Sequence, residues 1–546
     1  MPKLTGGQAL VQSLKREGID TIFGLPGVQL DWAFDALYDE QDHFRIYHTR
    51  HEQATAYMAD GYARSTGKIG TSLVVPGPGL LNITAALSTA YACNSPVLAI
   101  SGQIRSDLIG VGRGVLHEVP DQLEFMNSVT KWAGRAMKPE EVPGIVREAF
   151  RRLTSGRPRP VEIEIPPDVL EATGEVTLLE PGPEPVLAPD SDAIDRAAQA
   201  LGRAERPLIF AGGGIIGGNA SSELLRLAEL LEAPVVMTSN GRGAVSDRHY
   251  LGQGPFAGKD LVPGADVVLA VGTRFVMPAT LPWGVKPEQT VIQIDIDPEE
   301  VGRNYIPQIG IVGDARVSLT QLAERAQRYN RKRPSRKEEL TALKARLTEQ
   351  LNSVHPQSDY GNVLRDELPD DGILVSEMTQ VGYWSNQGFR VYQPRTYITP
   401  GYQGTLGYGF ATALGVKAGN PNKKVVSING DGGFMYTMQE LSTMVRHGIN
   451  LVTVVFNDNA YGNVRRIQTE QFNGRTIASD LLNPDFVKLV ESFGIEGRRA
   501  KGPEGLRSAL RESLAADRPV LIEVPVEMMP NMQRLTGPMN NPPPRP

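Results

Sequence analysis

The stretch of this chain that most constrains its fold covers residues 425–466. It contains, in order, an apolar strand (425–428), a glycine-rich acidic turn (429–433), an amphipathic helix to about 446 and a second apolar strand (451–456). A right-handed crossover makes two such strands parallel, so that both end at the same edge of the sheet. This order therefore predicts that Asp431 and Asp458, which follow the two strands, lie on loops that face each other.

The turn around Asp431 has the composition of an anion and cation site. Glycines on both sides let the backbone approach a phosphate, and the helix that follows offers free N–H groups. Mg²⁺, which prefers octahedral oxygen ligands, would fit between the two acidic loops and a diphosphate. A Gly-Asp-Gly sequence is also typical of an ordinary turn between a strand and a helix, and the residues of this turn leave both interpretations open.

Length and composition narrow the class of protein. A chain of 546 residues is long enough for about three domains, and 40% hydrophobic with 22% charged residues is typical of soluble globular proteins. A net charge of −6 argues against a nucleic-acid partner, and no apolar run reaches the length of a membrane span. The single cysteine, Cys93, excludes an internal disulfide and is expected to be buried; with no signal region at the start, we expect a cytoplasmic protein.

Strand, loop and helix alternate along the whole chain, which predicts an α/β fold of three doubly wound parallel-sheet domains. A Pro-rich linker (178–189) and a basic run (331–337), expected to be a solvated linker, separate the parts. We expect a first domain at 1–180, a central domain at 188–335, a third at 355–530 and a C-terminal tail at 531–546, of which 537–546 reads as flexible.

Two separate segments carry a family resemblance. Residues 50–82 read RHEQATAYMADGYARSTGKIGTSLVVPGPGLLN and follow a GLPG turn at 24–27. This segment closely resembles the pyrimidine-binding domain of the acetolactate synthase group of thiamine-diphosphate enzymes. The segment at 425–466 resembles the diphosphate-binding motif of the same enzymes, in which Gly-Asp-Gly precedes an Asn-containing cluster by about two dozen residues; here Asp431 and Asp458 are 27 positions apart (458 − 431).

The resemblance implies that Glu52 hydrogen-bonds N1′ of the cofactor's aminopyrimidine. Protonation there favours the 4′-imino form, which can remove the proton from thiazolium C2 and create the ylide nucleophile. From composition alone, a carboxylate at the start of a helix is an ordinary partner of the helix dipole. In the same domain, Pro76, Gly77 and Asn82 are implied to contact the cofactor.

An active-site loop is implied at residues 112–118, where acetolactate synthases carry Phe-Gln-Glu and this chain has His117 in place of the Gln. A histidine at this position could donate to a keto oxygen or shuttle protons. Without the resemblance, an ordinary histidine on a surface loop is an equally good interpretation. Gln29, after the GLPG turn, is a further candidate for the same pocket. The His-for-Gln change indicates a substrate other than that of a simple acetolactate synthase.

The third domain is implied to hold the diphosphate end of the cofactor. The implied metal ligands are Asp431, Asp458 in the usual Asn position and the carbonyl of Ala460, with Asn457 or Asn459 as alternatives to Asp458. Leu406 would be wedged between the cofactor rings, although a leucine in such a turn is otherwise plain packing. The other implied cofactor contacts are Thr379, Gln380, Gly404, Gly430, Gly432, Gly433, Tyr461 and Gly462.

The central domain has strand ends of dinucleotide-binding type, in a Gly-Gly-Gly turn at 212–214 and in GTRF and DIDP sequences. Acetolactate synthases hold FAD there, so FAD is a possible second cofactor. The Met-His stretch expected before GTRF is absent, and a tight strand-to-helix turn explains the glycines equally well. The domain is therefore either structural or nucleotide-binding.

These features predict a thiamine-diphosphate and Mg²⁺ enzyme that decarboxylates a small-molecule 2-oxo acid and joins the product to a second carbonyl, through a C2 ylide and an enamine. Cleavage of an acyloin or diketone is the alternative within the family. A flavin or NAD oxidoreductase would explain only the central glycines, and a non-catalytic relative would not need Glu52. The resemblance implies a homodimer at minimum, with a homotetramer expected, because Glu52 and the Asp431 loop of one site come from different subunits.

Overall fold

The computed structural model describes residues 2–182, 186–276 and 283–532, so the tail predicted at 531–546 lies outside the described residues from 533 onwards. The strands build three six-stranded sheets, in which every neighbouring pair is parallel, and one two-stranded antiparallel sheet. The predicted α/β class with three parallel-sheet domains is confirmed. Among the described residues no helix is long and apolar enough to cross a membrane.

The first sheet has the strand order β3-β2-β4-β5-β7-β6, and β1 pairs with β8 beside it. The strands of this part are β1 (Lys3–Thr5), β2 (Thr21–Gly24), β3 (Arg45–His48), β4 (Gly70–Val74), β5 (Val97–Gly102), β6 (Trp132–Arg135), β7 (Val161–Ile165) and β8 (Thr173–Glu175). Its helices are α1 (Gly6–Arg16), α2 (Asp31–Asp39), α3 (Glu52–Thr66), α4 (Pro78–Asn82), α5 (Thr84–Ala92), α6 (Gln122–Met126), α7 (Val142–Thr154) and α8 (Pro167–Glu171).

The central sheet has the order β11-β10-β9-β12-β13-β14. Its strands are β9 (Leu208–Ala211), β10 (Val235–Met237), β11 (Gly252–Gln253), β12 (Val267–Val271), β13 (Thr290–Asp295) and β14 (Ile309–Val312). The helices are α9 (Ser191–Arg203), α10 (Gly213–Gly217), α11 (Ser221–Leu231), α12 (Gly258–Leu261), α13 (Ala315–Ala326) and α14 (Lys337–Asn352).

The third sheet has the order β16-β15-β17-β18-β20-β19. Its strands are β15 (Ile373–Ser376), β16 (Tyr397–Ile398), β17 (Val425–Gly430), β18 (Val452–Asn457), β19 (Glu496–Arg499) and β20 (Val520–Pro525). The helices are α15 (Gln357–Glu367), α16 (Gln380–Gly388), α17 (Tyr408–Gly419), α18 (Asp431–Phe434), α19 (Leu441–Arg446), α20 (Gly462–Gln471), α21 (Phe486–Glu491) and α22 (Gly502–Ala516).

Helix α3 packs directly against α17, which joins the first domain to the third. Glycines make this approach possible, because a β-carbon on Gly61 would lie 2.2 Å from the carbonyl oxygen of Thr412, and one on Gly415 would lie 1.9 Å from that of Met58. One apolar cluster accordingly contains buried residues of both domains. The first and third domains are thus in direct contact within one chain.

Three local expectations differ from the structure. The helix expected up to about 446 is broken into α18, a 3₁₀ turn (Met438–Glu440) and α19. Cys93 is half-buried rather than buried, with its thiol 3.8 Å from the carbonyl oxygen of Thr399. The basic run at 331–337 is mostly exposed, as expected, but Arg336 is buried and Arg333 donates to the carbonyl oxygens of Leu201 and Gly202 at the end of α9, as cations do at helix C-termini.

Candidate active site

Glu52 is the first residue of α3, and His51 caps that helix by accepting a hydrogen bond from the backbone N–H of Gln53. The Glu52 side chain is only 16% exposed, and its Oε2 accepts a hydrogen bond of 2.9 Å from Nδ2 of Asn82. The structure therefore brings together two of the residues predicted from sequence. The amide holds one carboxylate oxygen in place.

Gln29 and His117 lie 88 positions apart in the chain and are in direct contact, with 3.0 Å between Nδ1 of His117 and Oε1 of Gln29. The amide nitrogen of Gln29 donates to the carbonyl oxygen of Leu116, which leaves its oxygen to face the ring. Nδ1 of His117 therefore carries the hydrogen in this bond, and a neutral ring presents Nε2 as an acceptor. Gln29 thus selects the tautomer of His117.

The Pro76-Gly77 turn lies against these two residues. Gly77 has φ +56°, and a β-carbon there would lie 2.2 Å from the carbonyl oxygen of His117. A β-carbon on Gly102 would meet Cδ of Pro76 at 3.0 Å and Cβ of Gln29 at 3.2 Å. Of the other predicted first-domain residues, Asn82 thus contacts Glu52, and Gln29, Pro76, Gly77 and His117 form this single cluster.

Asp431 and Asp458 also come together, as the sheet topology predicts. Burial raises the pKa of Asp458 to about 6, and the negative charge of Asp431 adds to this effect. The backbone N–H of Ala460 lies close to both carboxyl groups and opposes the rise of both pKa values. The nearest basic side chain to Asp458 is that of Arg465, with a nitrogen 4.0 Å from Oδ2. Two carboxylates that repel each other across one backbone amide form an oxygen donor set suited to a hard cation.

The alternative ligands Asn457 and Asn459 have other partners. Asn457 donates to Glu523 at 2.8 Å and accepts from the backbone N–H of Asn459. Asn459 has φ +53° and accepts from Asn483 at 3.3 Å. Asn457 and Asn459 therefore stay alternatives as metal ligands. The two side chains that repel each other by charge, however, are those of Asp431 and Asp458.

The remaining predicted positions of the third domain surround the glycine turn. Thr379 caps α16 by accepting from the N–H of Gly382 at 3.2 Å, and Gln380 is the first residue of that helix. Gly404 has φ +60° and Leu406 is half-buried. A β-carbon on Gly432 would lie 2.8 Å from the ring of Tyr461, and one on Gly462 would lie 2.2 Å from Oδ2 of Asp458, whereas Gly430 has open space around it.

Comparison with known proteins decides the family. The chain matches three parts of one family: the N-terminal TPP binding domain of thiamine pyrophosphate enzymes over residues 4–125, their central domain over 194–322 and their C-terminal TPP binding domain over 377–524. The chain belongs to the thiamine-diphosphate enzyme family.

Relatives of this thiamine-diphosphate enzyme align over nearly its full length. It is 35% identical to a probable acetolactate synthase large subunit of Methanocaldococcus jannaschii, with 98% of this chain and 95% of the relative covered. It is 34% identical to an acetolactate synthase of Arthrospira platensis (96% and 94% covered). It is also 35% identical to a probable 2-ketoarginine decarboxylase of Pseudomonas aeruginosa (95% and 94% covered). The enzyme is therefore acetolactate synthase-like, of the decarboxylase and carboligase type.

The site of this thiamine-diphosphate enzyme contains two residues that sequence reasoning missed. Glu377 follows β15 and is buried; its Oε1 accepts the N–H of Gly407 at 2.5 Å, while its buried Oε2 has no hydrogen-bond partner among the described residues. Burial raises the pKa of Glu377 to about 8, against the opposing hydrogen bonds from the N–H groups of Gly407, Tyr408 and Gly409. A β-carbon on Gly433 would lie 2.3 Å from Oε1 of Glu377, so this carboxyl group abuts the glycine turn.

Asn483 is the second missed residue. Its Nδ2 lies 2.6 Å from Oδ2 of Asp431 and 3.0 Å from Oδ1 of Asn457, so the amide connects both loops of the acidic pair. Burial raises the pKa of Asp431, and the bond from Asn483 opposes that rise. Among the described residues no group of three His, Cys, Asp or Glu side chains forms a metal cluster.

A cavity of about 1500 Å³ lies at the ends of the central strands, and residues of the first and third domains also line it. The glycines around it have a packing reason, since a β-carbon on Gly212 would lie 2.1 Å from the carbonyl oxygen of Gly272. The DIDP sequence binds an arginine of the first domain: Arg157 lies 3.4 Å from Asp295 and 3.4 Å from Asp297. The size of the cavity is compatible with a nucleotide, while its motifs also serve to pack the domains.

Proposed function

We propose that this enzyme uses thiamine diphosphate and Mg²⁺ to decarboxylate a 2-oxo acid and to join the resulting acyl unit to a second carbonyl compound. The observation that carries the proposal is the Glu52–Asn82 pair at the start of α3, together with the facing carboxylates Asp431 and Asp458 in the same chain. Relatives with printed names of a synthase and of a decarboxylase support both halves of the reaction.

Glu52 is proposed to exchange a proton with N1′ of the aminopyrimidine, with Asn82 holding its Oε2 so that the other oxygen faces the ring. The bound cofactor supplies a nucleophilic carbon and an electron sink for the substrate carbonyl. Gly404, with its positive φ, lets the backbone come close to the ring, and Leu406 supports the ring from the third domain. Pro76 and Gly77 close the first-domain side of the site.

Asp431, Asp458 and the carbonyl of Ala460 are proposed to hold the metal. A divalent cation would offset the repulsion between the two carboxylates, to which Arg465 and the amide of Asn483 are the neighbouring side chains. The N–H groups that begin α18, at Asp431 and Gly432, and the open space at Gly430 would receive the diphosphate. Thr379, Gln380, Gly433, Tyr461 and Gly462 surround the same turn and complete the proposed contacts.

His117 and Gln29 are proposed to face the substrate. A neutral His117 with a free Nε2 can accept a proton from a hydroxyl group, and the protonated ring can donate to a keto oxygen. This favours one second candidate function, the cleavage of an acyloin or diketone, in which a substrate hydroxyl must lose its proton. The oxidoreductase alternative loses its support, because Gly212 and Gly272 are explained by packing.

A substrate panel tests the reaction. The purified protein would be incubated with thiamine diphosphate, Mg²⁺ and single compounds: short 2-oxo acids, a guanidino-bearing 2-oxo acid, acyloins and diketones. Carbon dioxide and organic products would be scored separately. Release of CO₂ from a 2-oxo acid supports the proposal, C–C cleavage without CO₂ supports the second candidate, and no turnover of any compound contradicts both.

A homodimer is proposed as the smallest active unit, with a homotetramer as the assembly. Large apolar side chains are exposed beside both halves of the site: Leu116 at 63% in the first domain and Leu482 at 101% in the third. If each site takes Glu52 from one chain and Asp431 from the other, two inactive variants, Glu52→Gln and Asp431→Asn, would complement each other. Re-association of equal amounts should restore about a quarter of the wild-type activity, whereas sites built within one chain would stay inactive.

Three further assignments are proposed. The domains are divided at 1–180, 188–335 and 355–530, with one six-stranded sheet in each. FAD is the nucleotide against which the central cavity should be tested first, by a visible absorption spectrum; a colourless and fully active preparation removes flavin from the account. The single cysteine and the composition fit the cytoplasm.

A further inference from the structure

The turn that precedes Glu52 is held to its own sheet by one backbone hydrogen bond, from the N–H of Thr49 to the carbonyl oxygen of Gly24 at 3.3 Å. Strand β3 ends at His48 and α3 begins at Glu52, so residues 49–51 link them in an irregular path. Thr49 donates back to the carbonyl oxygen of His51 at 3.0 Å. The N–H groups of Arg50 and His51 lie directly before Glu52, and their acceptor comes from outside the first domain.

Glu440 of the third domain supplies these acceptors. Its Oε1 lies 3.0 Å from the backbone nitrogen of His51, and its Oε2 lies 3.0 Å from that of Arg50. Oε2 also accepts from the hydroxyl of Thr443 at 2.5 Å, and Glu440 as a whole is fully buried. Both carboxylate oxygens thus act as acceptors. Hydrogen bonds from backbone N–H groups to a carboxylate are stronger than those to a neutral acceptor.

Neighbouring contacts extend this attachment on both sides. The amide nitrogen of Gln53 donates to the carbonyl oxygen of Tyr436 at 2.9 Å, and the backbone N–H of His48 lies 3.1 Å from Nε2 of His447. Residues 436–447 follow directly after the glycine turn at Asp431. The segment that carries the proposed metal ligand therefore also holds the backbone around Glu52.

We propose that Glu440 is a positioning residue for the reaction: it fixes the turn before α3, and through that turn it sets the place of the Glu52 carboxyl group. The inference rests on the proposed function, because it needs Glu52 to act on the cofactor. Glu440 does not touch the cofactor in this account. Its effect passes through the backbone of two residues adjacent to Glu52.

The exchange rate of the thiazolium C2 proton tests this, because it reports the step assigned to Glu52 and needs no substrate. Protein loaded with thiamine diphosphate and Mg²⁺ would be mixed with deuterium oxide, quenched and analysed by NMR, with rates expressed per bound cofactor. Glu440→Ala should slow exchange about 100-fold, the size expected when a catalytic group is displaced by about 1 Å. Glu440→Gln, which keeps the shape but places a donor against an N–H or the Thr443 hydroxyl, should slow it about tenfold.

Thr443→Val is the matched control. It removes one hydrogen bond to Glu440 but leaves the contacts to Arg50 and His51, so exchange should stay at the wild-type rate. If Glu440→Ala shows no cooperative unfolding transition, it is not folded, and the exchange rate of Glu440→Gln then tests the inference. Exchange at the wild-type rate in a folded Glu440 variant overturns the inference, as does an equal loss in Thr443→Val.

A double variant separates positioning from a general loss of structure. In the Glu52→Gln background, Glu440→Gln should slow exchange no further, because the group it positions is already gone. A further tenfold loss in the double variant would contradict the inference. Should Glu52→Gln itself exchange at the wild-type rate, the proposed function fails; slow exchange in Glu52→Gln with wild-type rates in the Glu440 variants refutes only the role of Glu440.

Discussion

Replacing Glu377 by glutamine should make the stability of the apoprotein less dependent on pH. Burial raises the pKa of this carboxyl group from its ordinary value of 4.5 to about 8 in the folded chain. Between these values the native state keeps a proton that the unfolded chain releases, so the free energy of unfolding falls as pH rises from about 4.5 to about 8. Glutamine carries no charge in either state and removes this contribution.

The expected loss of unfolding free energy follows from the interval between the two pKa values of Glu377. At about 1.4 kcal/mol per pH unit, the wild-type protein should lose up to about 4 kcal/mol between pH 5 and pH 8 through this group alone. For a domain of this size the same loss corresponds to a change in melting temperature of about 10 °C. The glutamine oxygen can still accept the N–H of Gly407, so the local fold should be kept.

The assay is thermal unfolding of the apoprotein at pH 5, 6, 7 and 8 for wild type and Glu377→Gln. The difference in melting temperature should widen steadily in favour of the variant as pH rises. Glu338→Gln, the same chemical change on an exposed surface, should follow the wild-type curve at every pH. Parallel curves for wild type and Glu377→Gln from pH 5 to pH 8 would refute the reasoning.

Other consequences follow for the site itself. Gly77→Ala should lower kcat/KM about 100-fold, since its β-carbon would lie 2.2 Å from the carbonyl oxygen of His117; unchanged steady-state kinetics would show that the turn can move freely. His117→Gln should retain more activity than His117→Asn, because only the longer amide reaches the position of Nε2, and the reverse order in initial rates would count against the tautomer assignment. Asp431→Asn should weaken Mg²⁺-dependent cofactor binding at least about tenfold, measured by calorimetry; equal affinity would remove Asp431 from the metal site.

Much of the architecture could be predicted because it depends on periodic patterns. The apolar strands at β17 and β18 and the glycine-rich turn between them are local features, and the right-handed crossover places Asp431 and Asp458 at one edge without further information. The start of α3 at Glu52 and its end before Gly67, with φ +78°, follow from a cap residue and a glycine. These features need only neighbouring residues.

The site residues that could not be predicted depend on contacts between segments that are distant in the sequence. Glu377 could have been noticed as a carboxylate directly after a buried strand, but the sequence shows neither its burial nor its approach to Gly433. Asn483 reaches Asp431 from an irregular loop 52 positions later, which no periodicity marks. Glu440 looks like a polar position on an amphipathic helix, and only the packing of the first domain against the third reveals its partners at residues 50 and 51.

The proposed reaction depends on the Glu52 carboxyl group acting on the cofactor held by the Asp431 loop. The most direct measurement compares wild type and Glu52→Gln, both saturated with thiamine diphosphate and Mg²⁺, for cofactor retention and for exchange of the C2 proton with solvent. We expect the variant to retain the cofactor while exchange slows by orders of magnitude, because the amide cannot share a proton with N1′. Retention with exchange at the wild-type rate would contradict the central assignment.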